Sequence, residues 1–141
     1  MTQNEQVDAD ATARVPRVAL VGYGYWGTNI ARNLHQLGAL SALVDELGSH
    51  REKARETYPG IPLYENIDTV LADPDIEGVA IATPATTHAQ LTQRALEAGK
   101  DVFVEKPLAL TLADGQKLVE QARKQSAILM VGHLLEYHPA V

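Results

Sequence analysis

Three glycines early in the chain have the spacing of a phosphate-binding turn. Gly22, Gly24 and Gly27 lie in VGYGYWG, after an aliphatic run and before a segment of helical periodicity. In that context the first glycine allows a tight turn, the second lets the backbone approach a pyrophosphate, and the third lets the helix pack closely. The helix N-terminus then offers free N–H groups to the phosphates. The motif predicts a dinucleotide site; the alternative is that the glycines only mark a turn.

Aromatic residues and one acid extend this predicted site. Tyr23, Tyr25 and Trp26 lie within the turn, where they either pack or cover the cofactor, and we favour cofactor contact for Tyr25 and Trp26. Asp45 ends the second predicted strand, roughly 20 residues after the first glycine, where an acid binds the adenosine ribose. With histidine taken as neutral, the first basic residue beyond it is Arg51. The pattern therefore favours NAD over NADP, and an ordinary turn aspartate is the alternative.

The segment ATPATTH, which ends the fourth predicted strand, places polar residues at the same edge of the sheet. The carboxyl ends of strands in open α/β sheets surround the ligand crevice. Thr83 and Pro84 are therefore candidates to line the central part of the cofactor. His88 is a further candidate, although it falls in the first turn of a predicted helix, where simple exposure is the equal alternative.

The fifth predicted strand ends in VEKP and brings a lysine to this edge. Successive side chains of a strand point to opposite faces, so Glu105 and Lys106 both face the crevice only if the backbone turns there. Pro107 gives a reason for such a turn. A lysine beside a nicotinamide could exchange a proton with a substrate hydroxyl, whereas taken alone Lys106 is more simply a surface residue.

The elements that must position these residues alternate regularly along the chain. The predicted strands are 17–22, 40–45, 61–66, 78–84, 101–107 and 127–133, and the predicted helices are 28–38, 49–60, 67–75, 87–100 and 111–125. Strict alternation of buried strands with helices predicts an α/β fold with right-handed crossovers. We expect a doubly wound parallel sheet of the Rossmann type, with strand order 3-2-1-4-5-6 and three α/β/α layers.

Local signals predict where individual helices begin and end. Gly38 is expected to end the first helix. Ser49 and Glu52 have capping-box spacing at the start of the second. Thr111 opens the fifth helix.

The composition is that of one folded domain, with 141 residues of which 45% are hydrophobic and 21% charged. A net charge of −6 argues against a nucleic-acid or membrane-surface binder, since either needs a basic face. Without cysteine there is neither a disulfide nor a cysteine metal site, and we expect no metal. No apolar run approaches the roughly 18 residues of a membrane span, and no secretory signal opens the chain. A cytoplasmic location is expected.

Three regions are predicted along the chain. Residues 1–14 offer nothing to bury and predict a flexible tail. Residues 15–133 form the dinucleotide-binding domain. Residues 134–141 are expected to begin a connection to a C-terminal substrate domain, because their large apolar side chains have little left to pack against.

The glycine turn, the ATPATTH segment and the EKP element together resemble the Gfo/Idh/MocA family of oxidoreductases. The resemblance covers nearly the whole chain from Arg17. It implies that this half binds NAD(P), with Glu105 and Lys106 at the cofactor, and that Lys106 takes part in catalysis. It also implies a Lys106–Pro107 peptide that is often cis. A C-terminal domain is implied to bind a sugar or cyclitol and to form homo-oligomers.

Within that family, GYGYWG and VGHLLEYHP resemble the nucleotide-sugar branch. Its enzymes oxidise the 3-hydroxyl of UDP-N-acetylglucosamine or its glucuronate on the way to surface polysaccharides. The resemblance implies a small-molecule substrate and puts His133 and His138 near it, with surface histidines as the alternative. Two rival functions are a free-standing NAD-binding or regulatory module and an S-adenosylmethionine-dependent methyltransferase with a similar glycine turn.

Overall fold

A computed structural model of the chain describes residues 14–133 and 139–140; the predicted tail, apart from Arg14, and residues 134–138 and 141 lie outside them. The strands are β1 (Val18–Val21), β2 (Leu40–Val44), β3 (Leu63–Tyr64), β4 (Gly78–Ile81), β5 (Asp101–Glu105) and β6 (Leu129–Gly132). The helices are α1 (Tyr25–Gln36), α2 (Gly48–Thr57), α3 (Asp68–Ala72), α4 (His88–Glu97) and α5 (Leu112–Lys124), and a 3-10 turn at Ala85–Thr87 precedes α4.

The strands form one six-stranded sheet in the order β3-β2-β1-β4-β5-β6. Every neighbouring pair is parallel. The predicted doubly wound topology is therefore confirmed. Because the strands are parallel, the turns that follow β1, β2, β4 and β5 all emerge at the same edge of the sheet, which is where the predicted site residues lie.

Both faces of the sheet are buried, as continuous apolar strands require. Along β1, Ala19 and Val21 pack on one face, in a core that includes residues of α3, α4 and α5. Leu20, between them, packs on the other face with residues of α1 and α2. The side-chain period of two thus divides the core into two halves and produces the three-layer arrangement.

Two of the three predicted helix ends are confirmed. Gly38 follows α1 with a φ of +73°, and the Thr111 hydroxyl accepts a hydrogen bond from the Asp114 N–H at 3.2 Å. The capping box at Ser49 is wrong, because α2 already begins at Gly48. The N–H groups of residues 50 and 51 both reach the carbonyl of Leu47, which places Ser49 inside the first turn.

Candidate cofactor site

The turn from β1 into α1 is closed so tightly that two of its glycines admit no side chain. Gly22 has a φ of +98°, and a Cβ there would stand 2.7 Å from the carbonyl oxygen of Ala82, in the turn after β4. A Cβ on Gly27 would stand only 2.0 Å from the carbonyl oxygen of Gly22. The first glycine therefore sets the turn against β4, and the third brings the helix down onto the turn.

Gly24 differs from the other two glycines because it faces open space. A Cβ there would meet no atom within 4 Å, and the backbone at φ −81° is ordinary for any residue. Gly24 is also the residue from which α1 starts, so the unpaired N–H groups of the first helical turn lie directly beyond it. Open space beside the N–H groups of a helix start, without an acid in the first turn, fits a pyrophosphate, and we call this space at Gly24 the phosphate cradle.

The three aromatic residues of the turn divide into one core residue and two surface residues. Tyr23 is buried and its ring meets that of Tyr58 edge-on, with centroids 6.5 Å apart. Tyr25 is 81% exposed and Trp26 is 51% exposed, and their rings meet edge-on with centroids 5.6 Å apart. Tyr23 is therefore a packing residue, while Tyr25 and Trp26 are exposed and remain predicted cofactor contacts.

Asp45 follows β2 and is tied to the glycine turn. Its Oδ2 accepts the N–H of Tyr23 at 2.7 Å, and its Oδ1 accepts the N–H of Leu47 at 2.9 Å. The Nδ1 of His50 also lies 2.9 Å from Oδ2. Burial opposes ionisation of this carboxyl, but these hydrogen bonds outweigh it and hold the pKa of Asp45 below its ordinary value of 3.8. An ionised carboxylate therefore stands beside the cradle.

Two basic residues near Asp45 were not among the predicted site residues. His50 and Arg51 lie in the first turn of α2, and the Arg51 guanidinium donates to the carbonyl oxygens of Asp45 and Glu46 at 2.8 and 2.9 Å. The helix start brings both residues back over the end of β2. The sequence places both residues a few positions after Asp45, which was the available signal for a role at this site. Spacing alone does not show whether their side chains point toward Asp45.

The turn after β4 is held by side-chain hydroxyls. The hydroxyls of Thr83 and Thr87 are 2.7 Å apart, and that of Thr87 also donates to the carbonyl of Pro84. The N–H of Ala82 bonds to Val21 of β1 at 2.8 Å. Thr83 and Pro84 thus lie in an ordered turn next to the glycine turn, consistent with their predicted place along the cofactor.

His88 is buried, with 2% of its surface exposed, so the alternative of an exposed histidine is wrong. Its Nε2 lies 2.7 Å from the carbonyl oxygen of Thr83, and its Nδ1 lies 2.7 Å from that of Pro107. Both ring nitrogens thus face main-chain carbonyls; a neutral imidazole donates its single N–H to one of them, and a protonated ring donates to both. His88 joins the turn after β4 to the turn after β5, and any part in cofactor binding must act through those turns.

Glu105 is the last residue of β5, and Lys106 lies just beyond the strand. Glu105 is half-buried, and its carboxylate lies against Gly132 of β6, where a Cβ would stand 3.0 Å from its oxygens. Lys106 follows, exposed at the crevice edge, and the Lys106–Pro107 peptide is cis, as the resemblance implied. Lys106 therefore projects beyond the strand end, and an added substrate or cofactor would be needed to desolvate it.

The predicted substrate-side histidines lie at the end of the chain. His133 directly follows β6 and is exposed, and its N–H bonds to the carbonyl of Val131 at 2.8 Å. His138 lies outside the described residues. Across residues 14–133 and 139–140, no group of three or more histidines and acids is arranged to hold a metal ion. Over the same ranges no helix has the length and apolarity needed to cross a membrane.

The parallel sheet, the glycine cradle and the ionised acid after β2 define a dinucleotide-binding domain of the Rossmann type. A family model described as GFO_IDH_MocA, an oxidoreductase family with an NAD-binding Rossmann fold, matches residues 16–133. The chain belongs to this Gfo/Idh/MocA family and is its NAD-binding domain. Membership excludes the methyltransferase reading, because the family is one of oxidoreductases.

Two of the relatives are named as dehydrogenases of a cyclitol and of a nucleotide sugar. The chain is 37% identical over 129 residues to the scyllo-inositol 2-dehydrogenase (NAD(+)) of Bacillus subtilis, spanning 88% of this chain and 37% of that protein. It is 28% identical over 127 residues to the UDP-N-acetylglucosamine 3-dehydrogenase of Acidithiobacillus ferrooxidans, spanning 89% and 39%. The crystal structure of GenD2 from gentamicin A biosynthesis in complex with NAD superimposes with a TM-score of 0.84 at 30% identity, over 89% and 36%. The chain thus spans less than two fifths of each.

Proposed function

We propose that this chain is the NAD-binding part of a dehydrogenase that oxidises a secondary hydroxyl of a sugar. The proposal rests on one observation: the phosphate cradle, an ionised acid and an exposed lysine all lie at the same edge of the sheet. Relatives that are named as dehydrogenases of an inositol and of a nucleotide sugar support the substrate class.

Each predicted site residue has a role in this proposal. Gly22, Gly24 and Gly27 hold the pyrophosphate, and Asp45 accepts hydrogen bonds from the adenosine ribose. The remaining cofactor contacts are those of Tyr25, Trp26, Thr83, Pro84 and Glu105, with His88 acting behind them. Bound NAD supplies the hydride acceptor. Lys106 accepts or relays the proton of the substrate hydroxyl, which its position at the crevice edge permits.

The finer substrate of this proposal is the 3-hydroxyl of a UDP-N-acetylamino sugar used in surface polysaccharide synthesis. The aromatic glycine turn and the named activity of the Acidithiobacillus relative support it. His133, directly after β6, and His138 would face that substrate. A scyllo-inositol relative of higher identity supports a cyclitol instead, so a substrate panel must contain both classes.

The rest of the molecule is also part of the proposal. Residues 134–141 would lead into a C-terminal domain that binds the sugar and forms a homo-oligomer. The protein would act in the cytoplasm. The rival, a free-standing NAD-binding module without catalysis, shares the cofactor site but has no use for Lys106.

The decisive experiment replaces Lys106 in the complete protein that carries this chain. Proton-transfer residues contribute about 100- to 10,000-fold in rate, so Lys106→Met should lower kcat by that order while the Kd for NAD stays nearly constant. Lys117→Met, an exposed lysine on α5, is the matched control and should change neither. Turnover of Lys106→Met within a few-fold of wild type would make the mechanism wrong, and failure of calorimetry to detect NAD binding would refute the cofactor assignment.

A further inference from the structure

The hydrogen bonds already made by Asp45 leave little room for a ribose. A carboxylate offers about four acceptor positions, two on each oxygen. Oδ2 carries both the Tyr23 N–H and the His50 Nδ1, and Oδ1 carries the Leu47 N–H. One acceptor position on Oδ1 is therefore left by these three partners.

A ribose binds such an acid best through both of its adjacent hydroxyls, which need two acceptor positions. Of the three groups that occupy Asp45, two are main-chain N–H groups fixed by the turns after β1 and β2. The third is the His50 side chain, which is 35% exposed and can rotate into solvent. His50 is therefore the one of these groups that a ribose can displace without unfolding a turn.

We propose that His50 is a selectivity residue that competes with the cofactor ribose for Asp45. The inference rests on the proposed function, in which Asp45 binds the adenosine ribose. A group that occupies the acceptor position of a ribose hydroxyl also lies next to that hydroxyl. Because the ring swings out from Asp45 only as far as its side chain allows, it stays within reach of the 2′ position, where its protonated form attracts a 2′-phosphate that Asp45 alone repels.

The charges around His50 make its protonation state matter. Asp45 contacts its ring, Glu46 lies in the same turn, and Glu65 follows β3, the strand that pairs with β2. Arg51 is adjacent on α2 and gives this edge a permanent positive charge, with its guanidinium on the carbonyls of the Asp45 turn. A protonated His50 would add a second positive charge to that of Arg51 and so offset the negative charge of these acids. With a neutral His50, the negative charge of the acids exceeds the single positive charge of Arg51.

The test measures the Kd values for NAD and NADP by calorimetry at pH 6 and pH 8, because a histidine side chain is protonated more readily at the lower pH. The proteins compared are wild type, His50→Ala, His50→Asn and His35→Ala. Asn keeps an N–H donor where Nδ1 stands but does not titrate; Ala removes donor and charge together. His35, exposed near the other end of α1, is the control. The 2′-phosphate titrates equally in all four, so differences between proteins report on His50.

We expect His50→Ala to bind NAD about fivefold more tightly than wild type, because the ribose no longer displaces a charge-assisted hydrogen bond. His50→Asn should bind NAD at pH 8 as wild type does. The preference for NADP is given by the Kd for NAD divided by the Kd for NADP. When the pH is lowered from 8 to 6, this ratio should rise about tenfold more in wild type than in either His50 variant. His35→Ala should follow wild type.

Two results would overturn the inference. If NAD binds but the affinities and pH dependence of His50→Ala equal those of wild type, His50 has no part in selectivity and the proposed function stands. If none of the four proteins binds NAD, the proposed function fails and this inference fails with it.

Discussion

Asp45 carries three hydrogen bonds in a largely buried position, so its ionisation contributes to the stability of the fold as well as to the site. Its pKa in the folded chain lies below the ordinary value of 3.8. The ionised form therefore stabilises the fold above pH 3.8, and this contribution is lost as the pH falls through the folded pKa.

Asp45→Asn should consequently lower the free energy of unfolding by about 1–2 kcal/mol near neutral pH, since the amide replaces one acceptor oxygen with a donor. The deficit should shrink as the pH falls below 3.8. Urea unfolding of both proteins across that range measures it. The neighbouring Glu46→Gln, at an exposed position, should show no such trend; a deficit for Asp45→Asn that is constant with pH would contradict the linkage.

A second prediction at the residue scale concerns His88, whose two ring nitrogens lie against the carbonyls of two separate turns. His88→Ala would remove the imidazole that lies against the carbonyls of Thr83 and Pro107 and leave a cavity beside them. We expect a loss of about 2–4 kcal/mol in the free energy of unfolding, together with weaker NAD binding. Chemical denaturation and calorimetry measure the two effects.

Gln90→Ala is the matched control for His88, since Gln90 is exposed on the same helix. It should leave both quantities nearly unchanged. An unchanged unfolding free energy for His88→Ala would show that the two turns do not depend on this side chain.

At the scale of elements, the β1–α1 turn contains one glycine that we expect to be needed for folding, Gly27, and another that we expect to be needed for binding NAD, Gly24. Gly27→Ala should destabilise the domain, because its Cβ would overlap the carbonyl oxygen of Gly22. Gly24→Val should fold, because its Cβ faces open space, but should abolish NAD binding by filling the phosphate cradle.

Far-UV circular dichroism, thermal unfolding and NAD titration distinguish these two variants. The expected pattern is normal unfolding without binding for Gly24→Val, and a lowered Tm for Gly27→Ala. Retained NAD affinity in Gly24→Val would mean that the turn does not hold the pyrophosphate.

The sequence was sufficient for those features that depend on local periodicity. The continuous burial of β1 and the cap at Thr111 follow from a few adjacent residues, and both were predicted correctly. Contacts between distant turns were not predictable in this way. The burial of His88 depends on Pro107 from the next β–α unit, and the start of α2 depends on the Leu47 carbonyl rather than on the polar residue Ser49.

At the scale of the whole molecule, the chain spans less than two fifths of the relatives compared above. Lys106 is exposed, so among the described residues water reaches the group proposed to move the proton. We therefore expect the isolated chain to bind NAD but to show no appreciable dehydrogenase activity, because none of the residues that the structure describes covers Lys106 to hold a substrate or exclude water.

The measurement is NADH absorbance with UDP-N-acetylglucosamine and with scyllo-inositol as substrates, for the isolated chain and for the complete protein. Activity is expected in the complete protein alone. Turnover of either compound by the isolated chain would contradict the expectation and would place the whole catalytic apparatus within these 141 residues.

The bridge made by His88 also has a mechanical consequence. The turns after β4 and β5 are linked to each other through one imidazole, so they stay together only while both of its contacts with their carbonyls are kept. Tyr25 and Trp26, by contrast, are exposed at the start of α1, and their ring centroids lie 5.6 Å apart. A dinucleotide that binds at the glycine turn would therefore displace these exposed rings more readily than the two turns that His88 links.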